Sequence, residues 1–214
     1  MYLTHIPGLI QRRMGAYLWR VKTEEKIIYL TFDDGPTPNV TPWVLQQLAE
    51  YNAKATFFMV GEQVRKYPEL AHEVIDAGHV VGNHTRSHVN GKKTPTFSYL
   101  REFADCQQIL REYTGIRPKL FRPPYGRITK AQAGPLLNRR INIVMMDVIT
   151  GDFDLKKNGQ SVANTTLAHA SPGSILLFHD SQKAWPRLQV ALPLVLESLA
   201  NEGYLFDCIQ PEVL

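Results

Sequence analysis

Apolar residues along this chain gather in short, nearly unbroken runs, and between the runs they recur every three or four positions. The runs are KIIYLTF at 26–32, KATFFMV at 54–60, HVVGNHT at 79–85, KLFRPPY at 119–125, NIVMMDV at 142–148, SILLFHD at 174–180 and YLFDCI at 204–209. Strands covered on both faces of a parallel sheet read this way, so the pattern predicts seven of them. Helical spacing fills the intervals at 41–51, 62–77, 98–113, 129–139, 160–170 and 187–201. In the third of these, Leu100, Phe103, Cys106, Leu110 and Tyr113 form one apolar stripe. Thr41 is expected to cap the first helix with Pro42 at its first position, and Pro193 to kink or delay the last one. Alternating β and α elements imply right-handed crossovers between parallel strands, in an open doubly wound sheet or a barrel. A dinucleotide-binding variant loses its main support, because no GxGxxG follows the first strand.

Composition narrows the class. The 214 residues are 44% hydrophobic and 21% charged with a net charge of +4, which fits one soluble α/β domain and excludes disorder. Lys and Arg are scattered, so no nucleic-acid footprint is indicated, and no apolar run is long enough to span a bilayer. Cys106 and Cys208 show neither metal-type spacing nor a disulfide pattern and read as buried thiols. Residues 1–22 lack the apolar core and cleavage site of a secretory signal, so a cytoplasmic or membrane-peripheral location is expected over secretion. Leu9, Ile10, Tyr17, Leu18 and Trp19 interleave there with Arg12, Arg13 and Arg20. This extension is expected to pack on the domain in preference to lying on an anionic membrane. Oligomeric state is not legible.

Placing the polar residues on this map points to chemistry. Asp33 and Asp34 follow the first strand, His84 and His88 end the third, and Arg122 and Tyr125 end the fourth. Asp147 and Asp152 are read at the end of the fifth, His179 and Asp180 at the end of the sixth. Catalytic groups of α/β barrels collect on that carboxyl-terminal face. His84 and His88, with a carboxylate from the first strand, make two nitrogens and an oxygen with a position left for water, the ligand set of a catalytic zinc-type site. The second adjacent acid is then available as a base for water. Since neighbouring strand residues face opposite ways, the Gly35-Pro36 turn is expected to bring both acids to one place. Arg122 can orient the base, and His179, held by Asp152, can protonate a leaving amine.

Five ordered motifs, TFDDG at 31–35, HTRSH at 84–88, RPPY at 122–125, DVITGDF at 147–153 and LFH at 177–179, make the chain resemble the polysaccharide deacetylase family, carbohydrate esterase family four, over about residues 26–207. The resemblance implies a distorted (β/α) barrel, commonly of seven strands, as a single catalytic domain. It implies Asp33 as general base, Asp34, His84 and His88 as metal ligands, and Arg122 as the partner of Asp33. The Tyr125 N–H would help hold the oxyanion, and His179 would be the acid with Asp152 behind it. Pro124, Tyr125, Phe153 and Leu177 would line the substrate groove. Phe153 stands where tryptophan is frequent and Met146 where another aromatic is common, which bears on substrate preference more than on chemistry. The implied cofactor is a divalent metal, zinc first, with cobalt, nickel or manganese able to occupy the same ligands. The implied partner is a glycan carrying N-acetyl groups, of peptidoglycan or chitin type. A hydrolase of small or cyclic amides and a silent glycan-binding module are the alternatives.

Overall fold

The computed structural model describes residues 3 to 211; residues 1 and 2 of the N-terminal extension and residues 212 to 214 lie outside that span. Strand β1 (Ile27–Asp33) is buried along almost its whole length, yet its two faces meet different surroundings. Ile28, Leu30 and Phe32 enter the large apolar cluster under the helices. Tyr29 enters a smaller cluster with Phe58, Leu120, Val144, Met146, Ile175 and Leu177 inside the barrel. The period of two therefore carries Thr31 and Asp33 to the inner side. A continuous apolar run thus hides an alternation whose inner positions turn polar toward the strand's end.

The other strands are β2 (Thr56–Met59), β3 (Val80–Asn83), β4 (Leu120–Phe121), β5 (Asn142–Ile143), β6 (Val148–Ile149), β7 (Ile175–His179) and β8 (Leu205–Asp207). Seven of them lie side by side in the order β5-β4-β3-β2-β1-β7-β6, and β8 pairs with the first half of β1. All strand pairings are parallel. The sheet curls into an open, deformed barrel with helices outside. Register sets Asp33 beside His179 and Asn83 beside Phe121, so the ends of β1, β7, β3 and β4 come level. At the barrel centre Gly82 faces the Phe58 ring; a Cβ there would sit 2.4 Å from that ring. On the outer face the Phe32 ring stacks between Phe57 and Phe178, at 5.0 and 5.9 Å between centroids.

The helices are α1 (Gly8–Arg13), α2 (Val40–Glu50), α3 (Gly61–Lys66), α4 (Pro68–Asp76), α5 (Thr96–Thr114), α6 (Lys130–Asn138), α7 (Gly159–Leu167) and α8 (Trp185–Asn201). Four expectations need correction. The helix expected at 62–77 divides at Tyr67, whose φ of −136° and ψ of 60° answer to the proline that follows, because Pro68 bars its predecessor from helical backbone. Thr41 is not the cap of α2; Asn39 takes that place and Thr41 lies inside the first turn. Pro193 does not delay α8, which begins at Trp185 and runs through it. The fifth expected strand, 142–148, is two pieces that do not pair with each other, β5 belonging to β4 and β6 to β7.

The gap between β5 and β6 is closed by the N-terminal segment. Leu18 bridges to Val144 and His5 to Val148, and Met145 N–H donates to the Leu18 carbonyl at 2.7 Å. Tyr17 and Trp19 pack with Phe103, Leu136 and Ile141, whereas α1 itself buries no residue. Asp147 also needs correction: it precedes β6 and so lies at the opposite end from the polar cluster. Its carboxylate, fully buried, accepts from the Arg20 guanidinium at 2.6 Å, from Ser174 Oγ at 3.1 Å and from the Ile175 N–H at 2.7 Å. Burial still pushes this acid above the usual carboxylate range, with Arg20 opposing.

Asp147 thus locks the N-terminal segment to the start of β7. Replacing Asp147 with Ala leaves a buried N–H without an acceptor and takes the carboxylate partner from Arg20, which keeps its bonds to Ser171, Pro172 and Ser174. We expect a loss of about 2 to 4 kcal/mol in denaturant unfolding, with the m-value unchanged.

Candidate active site

Arg122 is fully buried inside the barrel, and the barrel must satisfy it. Its Nη1 donates to Asp33 Oδ1 at 2.8 Å and to Thr31 Oγ1 at 2.7 Å, and Nη2 to the Met145 carbonyl at 2.9 Å. Nε points to the Val144 carbonyl at 3.4 Å, and the guanidinium lies 4.3 Å from the Phe58 ring centre. Thr31 passes its own proton to the Leu176 carbonyl at 2.7 Å. Asp33, 4% exposed, is thereby aimed by an arginine hydrogen-bonded through all three of its nitrogens. The carbonyls of 144 and 145 serve Arg122 and not a neighbouring strand, which is why the run 142–148 splits there.

Asp34 leaves the strand at once. Its φ of 84° breaks the pleat at the residue itself, before the Gly35-Pro36 turn credited with that break. Thr85, His88 and Tyr125 share this left-handed backbone, with φ of 65°, 58° and 60°. Four of the seven non-glycine residues of this kind among the described residues therefore surround one site. Such backbone costs on the order of 1 to 3 kcal/mol per residue and persists only where the surroundings over-determine it.

The surroundings do so. His84, 1% exposed, brings Nδ1 to 2.7 Å from the Arg122 carbonyl. A carbonyl only accepts, so Nδ1 carries the proton and Nε2 keeps its lone pair. Burial holds this imidazole down to about 4, against the pull of Asp33 and Asp34, so it is neutral at pH 7. The stretch between the two histidines is braced by Glu102 on α5, a residue without any motif to announce it. Its carboxylate accepts the Arg86 guanidinium at 2.8 Å, and the Ser87 N–H and hydroxyl at 2.9 Å each.

Asp34 Oδ1, His84 Nε2 and His88 Nε2 face one another, the three ligand atoms all within 4.8 Å. Asp34 Oδ1 is 3.1 Å from His88 Nε2 and 3.7 Å from His84 Nε2. The first separation is short, but its alignment is not that of a hydrogen bond, and Asp34 Oδ1 is a buried oxygen with no donor among the described residues. Burial works against charge on Asp34, while His88, His179 and His84 together hold it below the usual carboxylate range. An orphaned carboxylate oxygen beside a neutral imidazole whose bare nitrogen points inward fits a divalent cation. The donor set, two nitrogens and one oxygen, fits it also.

Beside β1, His179 ends β7. Asp152 accepts its ring Nδ1–H at 2.8 Å and its backbone N–H at 2.7 Å, and Arg187 on α8 donates to the Asp152 carbonyl. Burial opposes charge on this imidazole, but Asp152, followed by Asp34 and Asp33, outweighs it and raises the pKa to about 9. A cation beside Asp34 would lower that value again. The Phe153 ring meets His179 edge-on at 5.3 Å, and the Tyr125 ring meets His88 at 4.6 Å. Tyr125 is 62% exposed, and its N–H donates to no protein acceptor among the described residues. Leu177 and Pro124 are both buried, Leu177 below His179 on the inner face of β7 and Pro124 in the turn that carries Tyr125. Thr31 and Glu102 escaped the sequence reading; Thr31 alone had a signal, two positions before Asp33 on the same face.

Comparison with known proteins bears on the chain as a whole. The family model described as polysaccharide deacetylase matches residues 20–135. A peptidoglycan-N-acetylglucosamine deacetylase of Bacillus cereus is 34% identical over 192 residues, covering 89% of this chain and 70% of the relative. A chitooligosaccharide deacetylase of Azorhizobium caulinodans is 33% identical over 162 residues, covering 75% and 77%. Among solved structures, a peptidoglycan N-acetylglucosamine deacetylase in complex with a substituted N-oxidanyl-benzamide superposes with a TM-score of 0.88 at 31% identity, covering 98% of this chain and 97% of that one.

The His179–Asp152 pair makes a signed prediction. A pKa raised from 6.5 to about 9 contributes stability that is complete below about pH 6.5 and is lost as pH rises through about 9. In the metal-free protein, NMR titration should place the His179 ring near 9, and Asp152→Asn should bring it below 6.5, because burial then acts with less opposition. An unaltered titration in the Asn variant would rule out Asp152 as the source.

Proposed function

The chain belongs to the polysaccharide deacetylase family, and on that premise we propose that it hydrolyses the N-acetyl group of N-acetylglucosamine units in a peptidoglycan- or chitin-type glycan, with Asp34, His84 and His88 holding the metal. One observation carries the reading: three ligand atoms converge within 4.8 Å beside an aspartate that accepts from Arg122 at 2.8 Å, with a carboxylate-backed histidine one strand away. The family's enzymes are divalent-metal hydrolases, and zinc suits two imidazoles and one carboxylate best; cobalt, nickel or manganese would serve the same ligands. When bound, such an ion supplies Lewis acidity toward the acetyl carbonyl and toward water.

The chain's own residues supply the rest. Asp33 takes the proton of the attacking water as the new C–O bond forms, and Arg122 keeps that carboxylate aimed. The Tyr125 N–H, with no competing protein acceptor, donates to the acetyl oxygen as it gains negative charge, a contact worth about a hundredfold to a thousandfold in rate. His179, charged through Asp152, gives its proton to the nitrogen as the C–N bond breaks, so acetate leaves and a free amine stays on the sugar. His179 and Asp33 are adjacent in register, on neighbouring strands, so acid and base reach one carbonyl carbon together. Tyr125 and Phe153 place aromatic rings beside His88 and His179, and aromatic surface next to the site suits the apolar face of a sugar ring better than a small amide.

Asp33→Asn should lower acetate release from acetylated chitooligosaccharides by about a hundredfold or more with zinc content unaltered. Full activity in that variant would remove Asp33 as the base. Replacing Asp34, His84 or His88 with Ala should abolish both zinc binding and turnover, and chelation should silence the wild type until metal is returned. Chelator-resistant turnover would contradict the metal reading.

A further inference from the structure

Directly after His179 stands a second buried acid that the reaction above does not use. Asp180 is 1% exposed. Its Oδ1 accepts the Gly35 N–H at 3.1 Å and its Oδ2 accepts the Thr41 hydroxyl at 2.5 Å. Thr41 Oγ1 in turn accepts the Thr37 N–H at 2.7 Å, which is the use found for the residue expected to cap α2. The Asp180 backbone N–H donates to the Asp33 carbonyl at 3.1 Å. One carboxylate therefore ties the start of the loop between β1 and α2 to its end, and fastens both to β7.

Gly35 is held on its other side as well, its carbonyl accepting the Val60 N–H at 3.0 Å. A Cβ at Gly35 would lie 1.9 Å from Asp180 Oδ2, so the carboxylate occupies the room any larger residue would need. Between the strand-bound Asp33 and the pinned Gly35 sits Asp34 with its left-handed φ of 84°. Backbone of this kind relaxes when its restraints are removed, and relaxation here would carry the Asp34 carboxylate away from His84 and His88.

We propose that Asp180 is a positioning residue that fixes the Asp34 carboxylate toward His84 and His88 through Gly35 and Thr41. The inference rests on the reading of Asp34 as a metal ligand. Outer-layer groups that orient a ligand typically change metal affinity by about tenfold to a hundredfold, whereas a residue that merely anchors α2 would change the unfolding temperature alone.

The test is zinc affinity of the purified full chain, measured by competition with a chromophoric chelator, with thermal unfolding alongside. Asp180→Ala should weaken zinc binding by about tenfold to a hundredfold, and Asp180→Asn, which keeps an acceptor for Gly35 N–H, should recover most of it. Thr41→Val removes one hydroxyl and should weaken binding severalfold, which keeps the test open if Asp180→Ala does not fold. Gly35→Ala should weaken binding by pushing the carboxylate aside, and adding it to Asp180→Ala should cost nothing more. Wild-type affinity in folded Asp180→Ala, or in Thr41→Val where the former is insoluble, would overturn the inference while leaving the metal site standing. A wild-type chain that binds no zinc through Asp34, His84 and His88 would overturn the metal reading and this inference with it.

Discussion

The structure depends on an arginine in a place where arginines are costly. Arg122 sits with no exposed surface inside the barrel, and a charge there is tolerable only if carboxylate, hydroxyl and carbonyl oxygens surround it. Meeting that demand dictates much else. It puts a threonine at an inner position of an otherwise apolar β1 and turns the carbonyls of residues 144 and 145 inward. It also fixes Asp33 with an accuracy that a surface ion pair could not provide. The hydrogen bond from His84 to the Arg122 carbonyl extends the same constraint to the neighbouring loop, so Asp33 and His84 share one anchor.

Around that anchor the chain accepts local strain in exchange for convergence. Asp34, Thr85, His88 and Tyr125 all adopt backbone that L-residues avoid. Each lies on a loop leaving a strand, and two of these loops are gripped by a buried acid, Glu102 behind the histidines and Asp180 behind the aspartates. The site is thus assembled from loops, but held by elements of the barrel and its helices. Pre-set geometry of this kind is what allows electrostatic groups to act on a developing charge without rearranging at the moment of reaction.

Much of this was legible in the chain. Buried parallel strands announce themselves as apolar runs, and polar residues clustered at their carboxyl ends are conspicuous against that background, so Asp33, Asp34, His84, Arg122 and His179 stood out. What stayed hidden was the destination of individual hydrogen bonds. Nothing local distinguishes the apolar NIVMM as a crossing between two strands, because the cause is Arg122 some twenty residues earlier. Asp147 looks like its neighbour in motif, Asp152, yet one binds at the start of β7 and the other at its end. Thr41 has the signature of a helix cap, but a buried carboxylate from β7 competes for its hydroxyl and prevails. Asp180 and Glu102 lacked any spacing cue to what they bind, since their partners, backbone N–H groups and side chains alike, lie elsewhere in the chain.

The strap of residues 4 to 20 bears on how this domain is to be delimited. It supplies the bridges that join the two unpaired edges β5 and β6, and one of these meets the stretch whose carbonyls cradle Arg122. The match to the family model starts at residue 20, at the strap's far end. A recombinant fragment begun at that residue would keep the whole polar cluster at the strand ends and discard the bridges across the gap between β5 and β6, so a stretch outside the family model's match takes part in holding the barrel together.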